Sequence, residues 1–230
     1  MNFQEMKTNL HQEREKLKQM TFRKKLSYIF DYYRWPIFLS ICLIVLIALL
    51  GDIFYQGTKE NVILGFATND DWRLFDTETV KNQFSQYLGI DDSRERIVFD
   101  ASLYVDLDSS VDYVVGSQGQ IAATTANQSL DFLITTPELT EHYASLLPLK
   151  DLDTFLPEDL HEALSDKLVS LPNADGELQA CAIDLSQSRF MKQAWDNPVY
   201  EGLTPFYLII TDFSPHPDAV LSFIRYAFNL

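Results

Sequence analysis

The sequence predicts an α/β domain that follows a single membrane-spanning helix. Three observations point to this fold: a long uncharged apolar run near the N-terminus, short β-branched runs further along, and helical patterns between those runs. Strands that alternate with helices favour a mainly parallel sheet covered by helices. The predicted parts are an amphipathic basic cytoplasmic segment at 1–34, a transmembrane helix at 35–55 and an extracellular α/β domain at 56–230.

The apolar run from Ile37 to Leu50 carries no charge, and its flanks extend it to residues 35–55. A helix of about 20 residues crosses the hydrocarbon core of a bilayer. Trp35 and Tyr55 are aromatic anchors at its two ends. A buried core helix and a cleaved signal peptide are the alternatives. The long charged segment before the run and the absence of a small-x-small cleavage site favour a retained anchor.

Basic residues before the apolar run set its predicted orientation, with the N-terminus in the cytoplasm. These anchoring cations are Arg23, Lys24, Lys25 and Arg34. Apolar residues recur at helical spacing from Phe22 to Tyr33, which predicts an interfacial helix capped by Thr21. Pro36 would begin the next helix. Further upstream, the pattern from Phe3 to Met20 fits either a short coiled coil or a solvated amphipathic helix.

Charge divides the chain into a basic head and an acidic body. Residues 1–50 hold eight Lys or Arg and four acidic residues, a net +4, whereas residues 51–230 hold ten and 29, a net −19. An acidic body repels nucleic acid, which is therefore excluded as a partner. The expected partner of the basic head is the bilayer.

Five strands are predicted in the outer domain, each from a short β-branched or aromatic run. They are Asn61–Ala67, Arg96–Val105, Asp131–Thr135, Leu178–Ile183 and Phe206–Thr211. Helices are predicted after an Asp76 or Thr77 cap, at Ile121–Asn127, from Pro137, and at Ala219–Phe228. Gly116–Gly119 reads as a turn, and Leu147–Pro157 as a long surface connection.

Ligands of open α/β sheets bind at the carboxyl ends of the strands. The candidate ligand-binding residues are therefore those that follow the predicted strands: Thr68, Asn69, Asp70, Trp72, Thr135, Thr136 and Asp184. The alternative is that they are turn residues, selected for helix caps and Asx hydrogen bonds.

No pattern for metal, cofactor or catalytic chemistry is found. Asp106, Asp108 and Asp112 lack the glycine and the distal glutamate of an EF-hand loop, and the four histidines show no HExxH spacing. Gly116–Gly119 lacks the ending of a phosphate loop, and neither cysteine stands in a nucleophile signature. We therefore expect no metal, no cofactor and no enzymatic activity.

The element order and several phrases resemble the first lobe of extracellular solute-binding proteins over roughly residues 60–230. The phrases are QIAATTANQSLDFLIT, LLPLKDLDTFLPEDL, DGELQACAID and PHPDAVLSFIRYAF. The stretch FRKKLSYIFDYYRWP resembles the leader of small membrane-anchored Firmicutes proteins that carry such a domain. This resemblance implies a cleft that takes a small solute or a peptide.

The chain departs from that family in length. A second lobe would need on the order of 100 further residues, but only about 20 separate Asp184 from Pro205, so a two-lobed clamp has no room. Two functions follow as expectations. The first is an accessory subunit of a membrane complex, docking a transporter or a sensor, with a degenerate solute-binding cleft. The second is a binding module for a small molecule or peptide.

Overall fold

The computed structural model describes residues 21–70, 74–191 and 205–230, and of residues 22–33 it describes the backbone alone. The predicted pattern at Phe3 to Met20 and the candidate Trp72 lie outside these ranges. The chain divides into two units, Met1–Thr58 and Lys59–Leu230. Each unit is described by itself.

The described residues of the first unit form one continuous helix, α1, from Phe22 to Gly57. Its part from Arg34 to Gly57 is long and apolar enough for either a membrane span or a signal sequence, and its apolar side chains are not buried. Thr21 is the N-cap, as predicted, but its side chain makes no capping hydrogen bond. Pro36 lies inside α1 rather than at the start of a second helix, which corrects that prediction.

The second unit contains six strands and six helices among its described residues. The strands are β1 Glu60–Thr68, β2 Glu95–Leu103, β3 Phe132–Thr135, β4 Leu168–Pro172, β5 Leu178–Asp184 and β6 Tyr207–Ile210. The helices are α2 Thr77–Leu88, α3 Asp112–Ala126, α4 Pro137–Leu146, α5 Leu152–Phe155, α6 Glu158–Leu164 and α7 Pro217–Phe228.

The six strands form one mixed sheet in the order β2-β1-β3-β6-β5-β4. The pairs of β1 with β2 and with β3 are parallel, whereas β3–β6, β6–β5 and β5–β4 are antiparallel. The α/β class is confirmed, but the sheet is mixed rather than mainly parallel. The antiparallel half includes a hairpin of β4 and β5, whose turn places Gly176 at a φ of 81°.

Both faces of the sheet are buried, because side chains of successive strand residues point to opposite faces. On one face Phe132, Ile134 and Leu208 pack with residues of α2, α5, α6 and α7. On the other face Leu133 and Ile209 pack with residues of α3 and α4. The result is a sheet with helices on both sides.

Aromatic rings dominate the first face of the core. Phe132 stacks on Phe223 with ring centroids 4.5 Å apart. Gly65 lies directly beneath Phe132, and a Cβ at this position would overlap the Phe132 ring. Glycine is thus required here by close packing rather than by an unusual backbone angle.

Two other predictions were wrong. Gly116 and Gly119 lie inside α3, which starts at Asp112, so there is neither a turn nor a loop of free N–H groups there. The segment Leu147–Pro157 is not a surface connection: Leu149 bridges to Thr211, and Leu152 and Leu156 are buried in the core.

Candidate functional site

The carboxyl ends of β1, β3 and β5 meet at one edge of the sheet, so three of the predicted candidates lie close together. The hydroxyl groups of Thr68 and Thr135 are 2.7 Å apart and share a hydrogen bond, and both residues are fully buried. Thr135 is paired with Tyr207 across the sheet, and Tyr207 is paired with Asp184. The order along this edge is Thr68, Thr135, Tyr207, Asp184, and of these only Tyr207 was not a predicted candidate.

Asn69 and Asp70 hold the chain where it leaves β1. Asn69 adopts a left-handed backbone conformation with a φ of 59°. Its side chain accepts a hydrogen bond from the Val105 N–H at 2.7 Å and donates one to the Val105 carbonyl at 2.9 Å. The carboxylate of Asp70 accepts from the N–H groups of Leu74 and Phe75, at 2.7 and 3.1 Å. Both side chains therefore bond to the protein's own backbone.

Thr136 and Asp184 also have structural partners. Thr136 is the N-cap of α4, and its carbonyl accepts from the N–H and the hydroxyl of Thr140. Asp184 accepts from the N–H of Ser186 at 2.8 Å and from the Ser186 hydroxyl. The Asp184 side chain thus makes the Asx bonds expected of a turn residue, whereas the Thr136 side chain makes no capping hydrogen bond.

Tyr207 is a residue of this edge that the sequence analysis missed. Burial raises the pKa of Tyr207 above its ordinary value of 10, and the negative charges of Asp184 and Glu141 raise it further. It was missed because the candidates were taken from the carboxyl ends of predicted strands, and Tyr207 is near the start of the predicted strand Phe206–Thr211. The antiparallel pairing with β3 brings the first residue of β6 instead.

A cleft of about 780 Å³ opens beside the ends of β1 and β2. Among the described residues its polar lining includes Asp70, Asp76 and Asp100, and Tyr104 and Tyr113 add aromatic surface. Hydrogen bonds from Thr79 hold the pKa of Asp76 below its ordinary value, so this N-cap is ionised at neutral pH. The charged residues among the described lining residues are Asp70, Asp76 and Asp100.

The sequence analysis missed Tyr104 and Tyr113 because it placed the end of β2 and the start of α3 at the wrong residues. β2 ends at Leu103, two residues before the predicted end at Val105, and Tyr104 is the first residue after it. Tyr113 is in the first turn of α3, which was predicted to start only at Ile121, and its hydroxyl donates to the Ser102 carbonyl. The strand-end rule would have found Tyr104 once the end of β2 was placed correctly.

A second polar cluster lies at the amino end of β3 and was not predicted. The carboxyl group of Asp131 is fully buried. It accepts from the N–H of Leu64 at 2.7 Å, from the Ser214 hydroxyl at 2.6 Å and from the N–H of His216 at 3.0 Å. The Nδ1 atom of His216 lies 3.0 Å from Oδ2 of Asp131, the oxygen that also accepts from Leu64. Ser214 bonds to the carboxyl group rather than to His216, which is not the arrangement of a nucleophilic triad.

Within the described ranges, no group of three or more His, Cys, Asp or Glu is placed to hold a metal ion. Cys181 is buried in β5, and burial raises the pKa of its thiol, which disfavours the reactive thiolate. The predicted ligand-binding role of the strand-end residues stays a prediction.

The structure defines the chain as an α/β protein, with a six-stranded mixed sheet and a long apolar N-terminal helix. No protein-family model, curated protein sequence or solved structure gives a significant match to it.

Proposed function

We propose that this protein is a membrane-tethered accessory subunit. In this proposal α1 is a retained single-pass anchor, the N-terminus is cytoplasmic and the α/β domain is extracellular, on a Gram-positive cell. The domain docks a membrane-protein partner such as a transporter or a sensor. Its cleft is a degenerate form of the solute-binding site that the sequence resembles.

The anchor and its orientation are supported by residues at the two ends of the apolar helix. The cations Arg23, Lys24, Lys25 and Arg34 precede it, and cations near a span favour the cytoplasmic side. Trp35, exposed and at the start of the span, suits the interface between lipid and water, as does Tyr55 at the other end.

The observation that carries the accessory role is the use of the strand-end side chains. A ligand site needs a few polar groups that converge on the ligand. Here Asn69, Asp70 and Asp184 bond to nearby backbone groups, and Thr68 and Thr135 bond to each other. Because these polar side chains already bond groups of the protein itself, they are less suited to binding a solute. This favours a role in docking a partner.

Affinity purification of the full-length chain from its native membrane in mild detergent tests this role. We expect a stoichiometric membrane-protein partner, which is lost when residues 35–55 are replaced by an unrelated span or when the outer domain is removed. Purification of the chain without any partner contradicts the proposal.

The orientation is tested separately with a membrane-impermeant maleimide on whole cells. The buried Cys181 stays unlabelled, so Ala174→Cys, exposed at the turn between β4 and β5, reports the domain. A Thr8→Cys variant reports the N-terminal segment. With Cys42→Ser in both, we expect label on Ala174→Cys alone, and label on Thr8→Cys instead would reverse the topology.

The acidic cleft beside β2 favours the alternative function, a solute-binding module. Its volume of about 780 Å³ falls within the range typical of ligand sites. Carboxylates and tyrosine rings together suit an organic cation. A thermal shift with spermidine or choline that disappears in Asp100→Asn, while anionic solutes give no shift, would support this alternative. No shift with any cation would argue against it.

A further inference from the structure

The two outermost strands of the sheet, β2 and β4, differ in how well they resist pairing with another chain. An outermost strand presents backbone N–H and C=O groups that a further strand could bond, and proteins protect such strands by keeping them short or by placing proline in them. β4 has five residues and ends at Pro172. β2 has nine residues and contains no proline. The outer side of β2 is therefore the better template for an added strand.

The outward backbone groups of β2 belong to Ile97 and Phe99. Leu64 of β1 faces β3, because its N–H donates to the Asp131 carboxyl group and its carbonyl accepts from the Asp131 N–H. The next residue, Gly65, therefore faces β2, where it is paired with Phe99. In a parallel pair of this kind the N–H and C=O of Phe99 point away from β1, and so do those of Ile97 two residues earlier. None of the described residues forms a hydrogen bond with these groups.

The cleft of about 780 Å³ lies beside the carboxyl half of β2, whose residues 100–103 line it. Phe75 and Asp76, at the start of α2, also line it, and α2 packs on one face of the sheet. Tyr113 lines it from the first turn of α3, which packs on the opposite face. The cleft is thus a groove along the end of β2, with walls from both faces of the sheet. An extended segment paired with β2 would run into this groove.

Charge indicates what kind of segment fits. The carboxylates of Asp76 and Asp100 line the groove, and the rings of Tyr104 and Tyr113 are 37% and 59% exposed. Carboxylates and aromatic rings both attract a Lys or Arg side chain. The domain from Lys59 to Leu230 holds ten Lys or Arg and 28 acidic residues, a net −18, so it attracts cationic segments and repels anionic ones.

We infer that the outer side of β2 binds an extended cationic segment of the docked membrane protein, which adds a strand to the sheet. The main chain of the segment bonds Ile97 and Phe99, and a Lys or Arg side chain reaches the carboxylates of Asp76 and Asp100 in the groove. In this mode of recognition the main-chain hydrogen bonds provide affinity and the side-chain pocket provides specificity. The inference rests on the proposed accessory role, since it states how the outer domain contacts its partner.

Peptide binding to the full-length chain in mild detergent tests the added strand. The probe is a fluorescent hexapeptide of alternating lysine and valine, and the comparison is the same peptide methylated on its main-chain nitrogens, which keeps the charge but removes the N–H donors. We expect fluorescence anisotropy to show several-fold weaker binding of the methylated peptide, and no binding of an alternating glutamate and valine hexapeptide. Equal binding of the two lysine peptides, or binding of neither, would overturn the inference.

A matched pair of charge variants tests the position of the site. Asp100→Asn keeps an oxygen that can accept from Ser102 but removes the charge in the groove, so it should weaken binding of the lysine peptide several-fold. Glu162→Gln removes the same charge at an exposed position on α6, outside the described lining of the groove, and should change the affinity little. Equal weakening by the two variants would mean that only the net charge attracts the peptide, which contradicts the site.

Competition with spermidine distinguishes a segment from a free organic cation, because spermidine is cationic but has no peptide main chain. We expect it to displace the lysine peptide only weakly. Displacement as effective as by the unlabelled peptide would make the groove a solute site and overturn the inference. A membrane partner that co-purifies equally well with Asp100→Asn and with the unchanged chain would also contradict the inference, but it would leave the proposed accessory role intact.

Discussion

The two ends of β3 hold polar clusters that are built in different ways. At the carboxyl end, Thr68 and Thr135 form a buried pair of neutral hydroxyl groups on adjacent parallel strands. At the amino end, the carboxyl group of Asp131 collects donors from β1 and from the segment before α7. A carboxylate offers about four acceptor positions, whereas a threonine hydroxyl offers one donor and two acceptors.

The difference shows how each cluster contributes to the fold. The threonine pair joins two strands that the sheet already joins through backbone hydrogen bonds. Asp131 joins parts of the chain about 85 residues apart, since it holds Ser214 and His216 against β1 and β3. We therefore expect the amino end to matter more for stability, although the carboxyl end is where ligands of α/β sheets usually bind.

The largest expected effect is on Asp131. Asp131→Ala would leave the donors of Leu64, Ser214 and His216 without their acceptor in a largely buried site, and we expect a loss of about 3 kcal/mol or more in the free energy of unfolding. Urea unfolding of the full-length chain in detergent, followed by circular dichroism, measures it. Asp212→Ala is the control, because that side chain is 66% exposed and its ion pair with Lys150 is at the surface. Equal losses for the two variants would contradict the importance given to the amino end.

A smaller effect is expected for the threonine pair. Thr135→Val leaves the Thr68 hydroxyl without that partner and should cost about 1–2 kcal/mol. The double variant Thr68→Val with Thr135→Val should cost little more than either single one, because both polar groups are then gone. Additive losses in the same unfolding measurement would show that the two hydroxyl groups do not act as a pair.

The smallest effect concerns Tyr207 at the carboxyl end. Burial is the first cause of its raised pKa and the charge of Asp184 the second, so Asp184→Asn should lower that pKa by only a part of the shift. Because the folded-state pKa is above the ordinary value of 10, Tyr207 stabilises the fold below pH 10, and this contribution is lost as the pH rises further. Titration of phenolate absorbance, with Tyr207→Phe to assign the signal, measures the change. An unchanged titration in Asp184→Asn would remove the electrostatic part of this explanation.

Much of the fold could be predicted because buried strands leave a strong signal. Runs such as Asp131–Thr135 and Leu178–Ile183 are short and apolar, and β3 and β5 are found there. The cap at Asp76 and the ending at Gly89 also match the prediction for α2. These features depend on residues that are neighbours in the sequence, so the sequence alone is enough to predict them.

The errors arose where local signals are ambiguous. Gly116 and Gly119 resemble a turn, yet the buried side chains of Val114, Ser117 and Ile121 keep that segment helical. β4 was missed because it is short and only partly buried, although Asp175 and Gly176 between two strands are a known hairpin signal. The direction of β6 and the cluster around Asp131 depend on long-range pairing, which no local pattern encodes.

Pro36, inside α1, affects the mechanics of the proposed anchor. Proline has no N–H group, so the carbonyl of Tyr32 lacks its usual helical partner, and the proline ring crowds that carbonyl. Helices bend most readily at such a point. In the proposed membrane topology Pro36 lies next to Trp35, at the surface of the bilayer, where water can bind the unpaired carbonyl. The cytoplasmic part of α1 could then pivot along the lipid surface while the span stays upright, which would give the N-terminal segment its own range of orientations.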